Sequence, residues 1–247
     1  MRLFVDLTPR DAAFGLAVDE ALLESARRGG EGAVRLWVSR RAVIVGRSQA
    51  VASEYDLEAV RRLGIAVVRR ISGGGAVIHY PGNLNVSVTL ADGRRLGCAE
   101  RAFAWFGASI AAGLRELRAD IDERERMLVV ADRKISGAAQ ARRGDALLVH
   151  GTVLVWPDAI DMGSILMALR PGYAPLGTRS RPSATATLSD ALGRPVSLFE
   201  AADAVLRGLA DEFAQPWEEG LMEPAEEALA DELETTRYRS REWNESR

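Results

Sequence analysis

Lys134 is the single lysine among the 32 basic residues of the chain; the other 31 are arginine. It stands in ADRKISGAAQ (131–140). An ammonium is a compact point charge on a flexible stem, whereas a guanidinium is a planar fork. A chain that uses arginine for every other cation keeps lysine where the point charge itself is needed. Three residues on, Gly137 allows another backbone or a ligand to come close. The two histidines, His79 and His150, lie in similar glycine-containing, non-helical stretches. Taken alone, His150 reads as a hydrogen-bonded structural histidine before a catalytic one, and Thr152 equally suits a plain strand position.

A second stretch, RRISGGGAVIHYPGN (69–83), combines two arginines, three consecutive glycines, His79 and Asn83. Gly73–Gly75 let backbone N–H groups approach an anion with no side chain in the way. Arg69 and Arg70 can each grip a carboxylate or phosphate through two N–H bonds. The loop alone equally suits a tight turn. No Gly-Lys-Ser/Thr closes it, so it is not a P-loop, and a strand follows where a dinucleotide site needs a helix.

These residues must be held by the elements around them. RLFVD (2–6) reads as a strand, and Asp11 caps a helical pattern running to about Arg28. VRLWV (34–38) and AVIVG (42–46) read as strands joined by a short polar turn, and Ser53 starts a helix ending near Gly64. AVVRR (66–70), AVIHY (76–80) and LNVSVTL (84–90) are strands around the glycine loop. Residues 98–118 are helical. MLVVA (127–131), KISGAAQ (134–140) and ALLVHGTVLVW (146–156) are three strands. DMGSILMAL (161–169) is a helix, 170–184 a loop rich in Pro, Gly, Arg and Ser, and 187–192 and 197–214 are helices. The acidic tail from Pro224 is helical. Strands adjoin one another instead of alternating with helices, which predicts one α+β domain over 1–247 with a mixed, largely antiparallel sheet.

Composition narrows the function classes. The 247 residues are 47% apolar and 27% charged, ordinary for a soluble globular protein. A net charge of −3 implies no basic face for nucleic acid or anionic membrane. No apolar run approaches the roughly 20 residues of a transmembrane helix, and the N-terminus lacks a signal-peptide pattern. With Cys98 the only cysteine, no internal disulfide can form, and no zinc site is legible. The expectation is a cytoplasmic protein without a bound metal centre.

Together the two chemistry-bearing stretches resemble the lipoate–protein ligase and octanoyltransferase family, related in fold to biotin–protein ligase and class II synthetases. RRISGGGAVIH with GN at 82–83, then DRKISGAA and HGTVL, match its RRxSGGGAxxH–GN and RKxSGxA…HGxxL motifs. LAVDEALL (16–23), AVIVGRSQ (42–49), RSRPSATATL (179–188) and EWN (242–244) extend the resemblance over nearly the whole chain.

The resemblance implies a reaction in two steps. Lipoate and Mg·ATP give lipoyl-AMP and pyrophosphate, and the lipoyl group then passes to a lysine of an acceptor. The first step joins two anions, which a lysine between them can neutralise. Lys134 holds that place in the motif. Ser72, Gly73, Gly74, Gly75 and Ala76 would line the acyl chain and carbonyl end. Arg70 would face the nucleotide and carboxyl region, and Asn83 the nucleotide or metal side. His79 and His150 would orient the acyl-adenylate carbonyl or the incoming amine. Ser136, Gly137, Gly151 and Thr152 complete the expected site, and loop 170–184 would close over it as a mobile lid. Expected partners are a lipoyl-acceptor protein (a lipoyl domain, an H protein or a lipoate-binding carrier) and a separate small accessory subunit. The small C-terminal domain that many family members carry after an EWN-like stretch is not in this sequence.

Two departures bear on this. Ligases of the family carry an Asn-Asp pair ahead of the lysine strand, where aligning the LVV strands puts Arg126 and Met127 here. The related octanoyltransferases use no ATP and carry the acyl group on a cysteine; in the ligase-like ones that cysteine lies shortly before the lysine strand, where this chain has none. A family member that binds lipoyl groups without activating them, and a biotin ligase, are further alternatives.

Overall fold

The structure, a computed structural model, describes residues 1–210, 213 and 217–246. In chain order the elements are β1 (Arg2–Arg10), α1 (Ala12–Arg27), β2 (Ala33–Ser39), β3 (Ala42–Val45), α2 (Leu57–Arg62), β4 (Ala66–Arg69), β5 (Val77–His79), β6 (Asn83–Leu90) and α3 (Ala99–Glu116). Then come β7 (Asp122–Arg124), β8 (Met127–Val130), β9 (Arg133–Arg143), β10 (Ala146–Leu154), α4 (Leu188–Leu192), α5 (Leu198–Ala210), β11 (Glu218–Glu219), α6 (Pro224–Leu233) and α7 (Arg241–Asn244). Eight strands form one sheet in the order β11-β1-β2-β6-β10-β9-β8-β7, and β4-β3-β5 form a second. Within the large sheet β1 runs parallel to β2 and β11, and the remaining pairs are antiparallel. The fold is α+β with a mixed, largely antiparallel sheet, as the strand pattern predicts.

Alternation along the central strands sets the two faces of this sheet. In β6, Leu84, Val86, Val88 and Leu90 join Val34 and Leu36 of β2 and Leu147, Val149 and Val153 of β10 in one apolar core with α3 and α5. The intervening Asn83, Asn85, Ser87 and Thr89 turn to the opposite face and are also buried. α1 packs over that second face, against β6 and β10. A strand buried on both faces yet polar on one is a strand whose polar side must be given partners.

Two glycines weld α3 to α5. A Cβ at Gly113 would stand 1.9 Å from the Ala204 carbonyl oxygen, and one at Gly208 2.0 Å from that of Ser109. α1 starts where Asp11 accepts from the Ala13 N–H, as expected. No helix among the described residues is long and apolar enough to cross a membrane.

Several elements differ from the sequence expectation. β2 and β3 do not pair; the turn between them hands the chain from the large sheet to the small one. The helix expected from Ser53 begins at Leu57, because Asp56 takes the capping role, accepting from the Ala59 N–H at 2.9 Å. Residues 161–169 form two 3₁₀ turns, Met162–Ser164 and Met167–Leu169. Their backbone is claimed from outside: Ile165 O accepts from Asp56 N, and Met167 N donates to Glu54 O. The expected helix 197–214 is seen as α5; residues 211, 212 and 214 lie outside the described residues.

Candidate active site

The polar face of the large sheet, α1, the small sheet and residues 178–181 enclose a cavity of about 570 Å³. That size suits a small-molecule site. Leu16, Trp37, Ile44 and Val77 give part of its wall an apolar lining, while Arg70, Arg126, Lys134, Arg179 and Arg181 bring positive charge.

Lys134 reaches the cavity because of an irregularity in β9. The β8–β9 register pairs Leu128 with Ser136 but Val129 with Lys134, so one residue is extra. Such a bulge moves a side chain to the other face. It puts Lys134 and Gly137 on the cavity side together, and the lysine stem lies over the glycine: a Cβ there would meet Lys134 Nζ at 2.6 Å. Lys134 makes no side-chain hydrogen bond or ion pair among the described residues. Burial and the nearby Arg70 cation both push its ammonium below the ordinary lysine pKa.

Arg70 is buried too. Its guanidinium donates to the carbonyls of Gly73 (2.6 Å from Nη2), Gly75 (2.8 Å) and Ile44 (3.2 Å), and to no carboxylate. Burial without a counter-charge pulls its pKa down to about 10. Two cations held close together without a carboxylate make an anion site. Arg69, its neighbour, turns away from the cavity and is fully buried in backbone carbonyls.

His150 is the middle of a chain of polar contacts. Its Nε2 is 2.6 Å from Ser72 Oγ and its Nδ1 3.4 Å from Asp19 Oδ2. Asp19 also accepts from Arg35 at 2.6 Å and from Ser87 Oγ at 2.7 Å. Burial pushes the Asp19 carboxyl up, but Arg35, His150 and Ser87 outweigh it and hold it below the ordinary range. Ser72 is fully buried and off the cavity wall, so this chain orients the glycine loop and does not present a nucleophile. His79 lines the cavity with its edge toward Trp37, ring centroids 5.9 Å apart. Burial, with Arg70 adding to it, drops its pKa to about 3, so it works as a neutral imidazole.

Of the residues singled out in the sequence, Arg70, Gly74, Gly75, Ala76, His79, Lys134, Gly137, His150, Gly151 and Thr152 line the cavity. Ser72, Gly73, Asn83 and Ser136 do not. Asn83 ties β6 to β5 by donating to Ile78 O. Ser136 pairs with Val153 and so faces α3, beside Phe103 and Phe106. Arg126 and Met127 line the cavity, with the Arg126 guanidinium 4.5 Å from the Phe103 ring centroid.

The structure adds residues that the sequence did not flag. Ser180 Oγ donates to Glu54 at 2.7 Å and accepts from Ala76 N and from Gln49 Nε2. Tyr173 donates to the same Glu54 carboxylate, which is fully buried. The far end of the loop is held as well: Lys134 N donates to Ala184 O, and Ala186 N to Lys134 O. The expected lid is thus tied at both ends of its glycine- and serine-rich stretch. Asp19 gives the one signal that sequence could have offered, an acidic pair inside the apolar run LAVDEALL.

A cavity with a neutral histidine and unpaired cations, on a mixed sheet of this order, defines a catalytic domain of the biotin and lipoate ligase fold. A biotin protein ligase of Aquifex aeolicus superposes with a TM-score of 0.51 at 13% identity, over 85% of this chain and 69% of that one, a likeness of fold. The chain belongs to the lipoyl protein ligase A/B catalytic domain family, whose description matches residues 11–210. It is similar end to end to lipoate-protein ligase A subunit 1 of Thermoplasma acidophilum, 29% identical over 98% of this chain and 95% of that one. It is equally similar to the octanoyltransferase LipM of Symbiobacterium thermophilum, 31% identical over 97% and 96%. An Aeropyrum pernix protein with a provisional lipoate-protein ligase A name is 42% identical, over 59% of this chain and 54% of its own length. A lipoate-protein ligase A solved with ATP superposes with a TM-score of 0.85 at 29% identity, over 99% and 98%. A Thermoplasma acidophilum protein solved with lipoic acid gives 0.84 at 29%, with the same coverage.

Proposed function

We propose that residues 1–247 are a single catalytic domain of a lipoate–protein ligase. The lipoate carboxylate attacks the α-phosphorus of ATP, pyrophosphate leaves, and the lipoyl-AMP formed is attacked at its carbonyl by an acceptor lysine. AMP leaves, and the amine sheds a proton. The observation that carries this reading is the pair Lys134 and Arg70, two cations facing one cavity without a carboxylate partner. A carboxylate and a phosphate brought together need that charge. The apolar wall at Leu16, Ile44 and Val77 suits the acyl chain. Lys134 would bridge the two reacting anions, with Arg70 and the amides of Gly74 and Gly75 beside it. His79 and His150 would act as neutral hydrogen-bonding groups. ATP and lipoic acid in the relatives' structures support both ligands.

Mg²⁺ would travel with the triphosphate. Of the carboxylates on the described wall, Asp19 is taken up by Arg35, Ser87 and His150, and Glu125 is paired with Arg181, so Glu125 would meet the ion only by giving up that exposed pair. A separate small subunit is part of the proposal, supported by the Thermoplasma relative, named a subunit 1 and studied as a bi-partite ligase with its E2 lipoyl domain. The protein would work in the cytoplasm.

The LipM likeness favours a second reading, octanoyl transfer through a cysteine thioester. Cys98 is exposed at the start of α3 and does not line the cavity, which counts against it. Intact mass of an apo lipoyl domain separates the two. A lipoyl gain requiring ATP supports the ligase; an octanoyl gain from octanoyl carrier protein without ATP overturns it. Running both with and without a small partner tests the subunit.

A further inference from the structure

Two pairs of consecutive residues each send one side chain to the cavity and the other to the C-terminal segment 237–244. In α1, Asp19 faces the cavity, while Glu20 accepts from Arg237 and, at 2.7 Å, from Tyr238 Oη. At the end of β4, Arg70 faces the cavity while Arg69 is gripped by α7. Arg69 N donates to Asn244 Oδ1 at 2.8 Å, and its carbonyl accepts from Trp243 Nε1 at 2.8 Å. Its guanidinium donates to the carbonyls of Trp243 and Asn244, and on its other side to those of Gly46 and Gln49. Asn244 Nδ2 in turn donates to Tyr238 O, closing the segment on itself.

The grip continues to the glycine loop. Gly46, whose carbonyl Arg69 holds, lies so close beneath Gly74 that a Cβ there would stand 2.0 Å from Gly74 O. Arg47 N donates to Ser72 O. The height of Gly46–Gln49 therefore sets the height of Ser72–Gly75, the carbonyls of which hold the Arg70 guanidinium.

We propose that segment 237–244 is a positioning element of the cavity, with Arg69, Glu20, Trp243 and Asn244 as its positioning residues. It fixes Arg69 and Glu20, and through one peptide bond each it sets Arg70 and Asp19. As a contribution to acyl activation this rests on the ligase reading; as a contribution to the order of the glycine loop it does not. A small displacement of a group that meets developing charge is costly in rate, about tenfold to a hundredfold for shifts near 1 Å.

The test uses the full chain with Asn244→Ala and Trp243→Phe, the latter keeping an aromatic ring but deleting the N–H given to Arg69 O together with part of the packing against Arg47 and Arg237. Amide exchange of residues 70–76 and lipoate-dependent pyrophosphate release are read together. Glu226→Gln is the control. It breaks the buried Arg2–Glu226 pair, 2.6 Å, in the first turn of α6, and costs stability without a side-chain contact to residues 237–244. The expected result is faster exchange in 70–76 and a kcat lowered by about tenfold with a smaller change in KM. The control should lower Tm and move neither. Unchanged exchange at 70–76 in both variants overturns the proposal, as does equal acceleration in the control. Should Asn244→Ala not fold, Trp243→Phe decides alone. Should the wild type release no pyrophosphate even with a small partner subunit supplied, the ligase reading falls while the exchange data still judge the segment.

Discussion

Gly137 is the bed on which Lys134 lies. A Cβ at residue 137 would stand 2.6 Å from both Cε and Nζ of that lysine. The atoms it would strike are the end of a flexible side chain, so a substitution can be met by moving the ammonium. Gly137→Ala is expected to fold with a change in stability of about 1 kcal/mol or less. It should lose about 100-fold in adenylate formation, because the charge is displaced. Chemical denaturation and pyrophosphate release, measured on one preparation, check the split.

Removing the lysine itself should stabilise the protein. Burial and Arg70 lower its pKa in the folded state, so at neutral pH the fold carries an unwelcome charge that the unfolded chain does not resent. Lys134→Met should raise Tm at pH 7. The gain should shrink as pH rises through the lowered folded value toward 10.5, since the wild-type lysine is then neutral in the fold as well. Because the chain has one lysine, ¹³C-methylation gives a single lysine signal whose titration reads that pKa directly. A midpoint at or above 10.5 would refute the argument.

Asp19→Asn leaves Arg35 buried without its carboxylate. The loss should be about 3 kcal/mol, in the range for breaking a buried ion pair. The sign with pH follows from the lowered carboxyl: its contribution is complete above the ordinary carboxylate pKa and disappears as pH falls through the folded value. Wild type and variant should therefore converge in stability in strong acid, as urea titrations over pH would register.

Ser180 gives one hydrogen bond and receives two, which saturates its hydroxyl. Ser180→Ala should cost about 2 kcal/mol and loosen the segment between Tyr173 and Ser180. Limited proteolysis should then cut within 174–179 faster than in the wild type; equal rates would mean that the other contacts suffice.

The helix crossing at Gly113 and Gly208 predicts a loss of stability with the cavity untouched. The obstacles there are backbone carbonyls, which cannot turn aside. Gly208→Ala should destabilise by about 3 kcal/mol, at the upper end for overpacking, while ligand affinity per folded molecule stays the same. Calorimetry of folding and of binding would separate these.

The three strands around Lys134 and His150 were legible in sequence because period-two patterns there are long and bounded by glycine. The same holds for Asp11 as a cap. What sequence could not carry was the bulge in β9, which takes Ser136 to the α3 side and brings Lys134 beside Gly137. A run such as RKISGAAQ reads the same with or without an extra residue in register. Nor could it carry the Glu54 cluster, whose members lie in irregular segments with no period. Gln49 and Ser180 fell inside stretches that resemble the family, but which atoms they hold is a matter of tertiary contact. Residues 161–169 have apolar spacing that fits a helix, yet their backbone groups bond to Glu54 and Asp56 instead.

Tyr173 and Ser180 donate to one carboxylate, so residues 174–179 form a noose with Glu54 as its knot. Three residues separate the knot from the tip at Leu176, a reach of about 10 Å even when fully drawn out. With the knot tied, such a noose does not swing clear of the cavity like a door. It can ripple locally, and anything larger requires the knot to slip. Just beyond the knot, Arg181 is paired with Glu125 across the cavity wall at 2.7 Å.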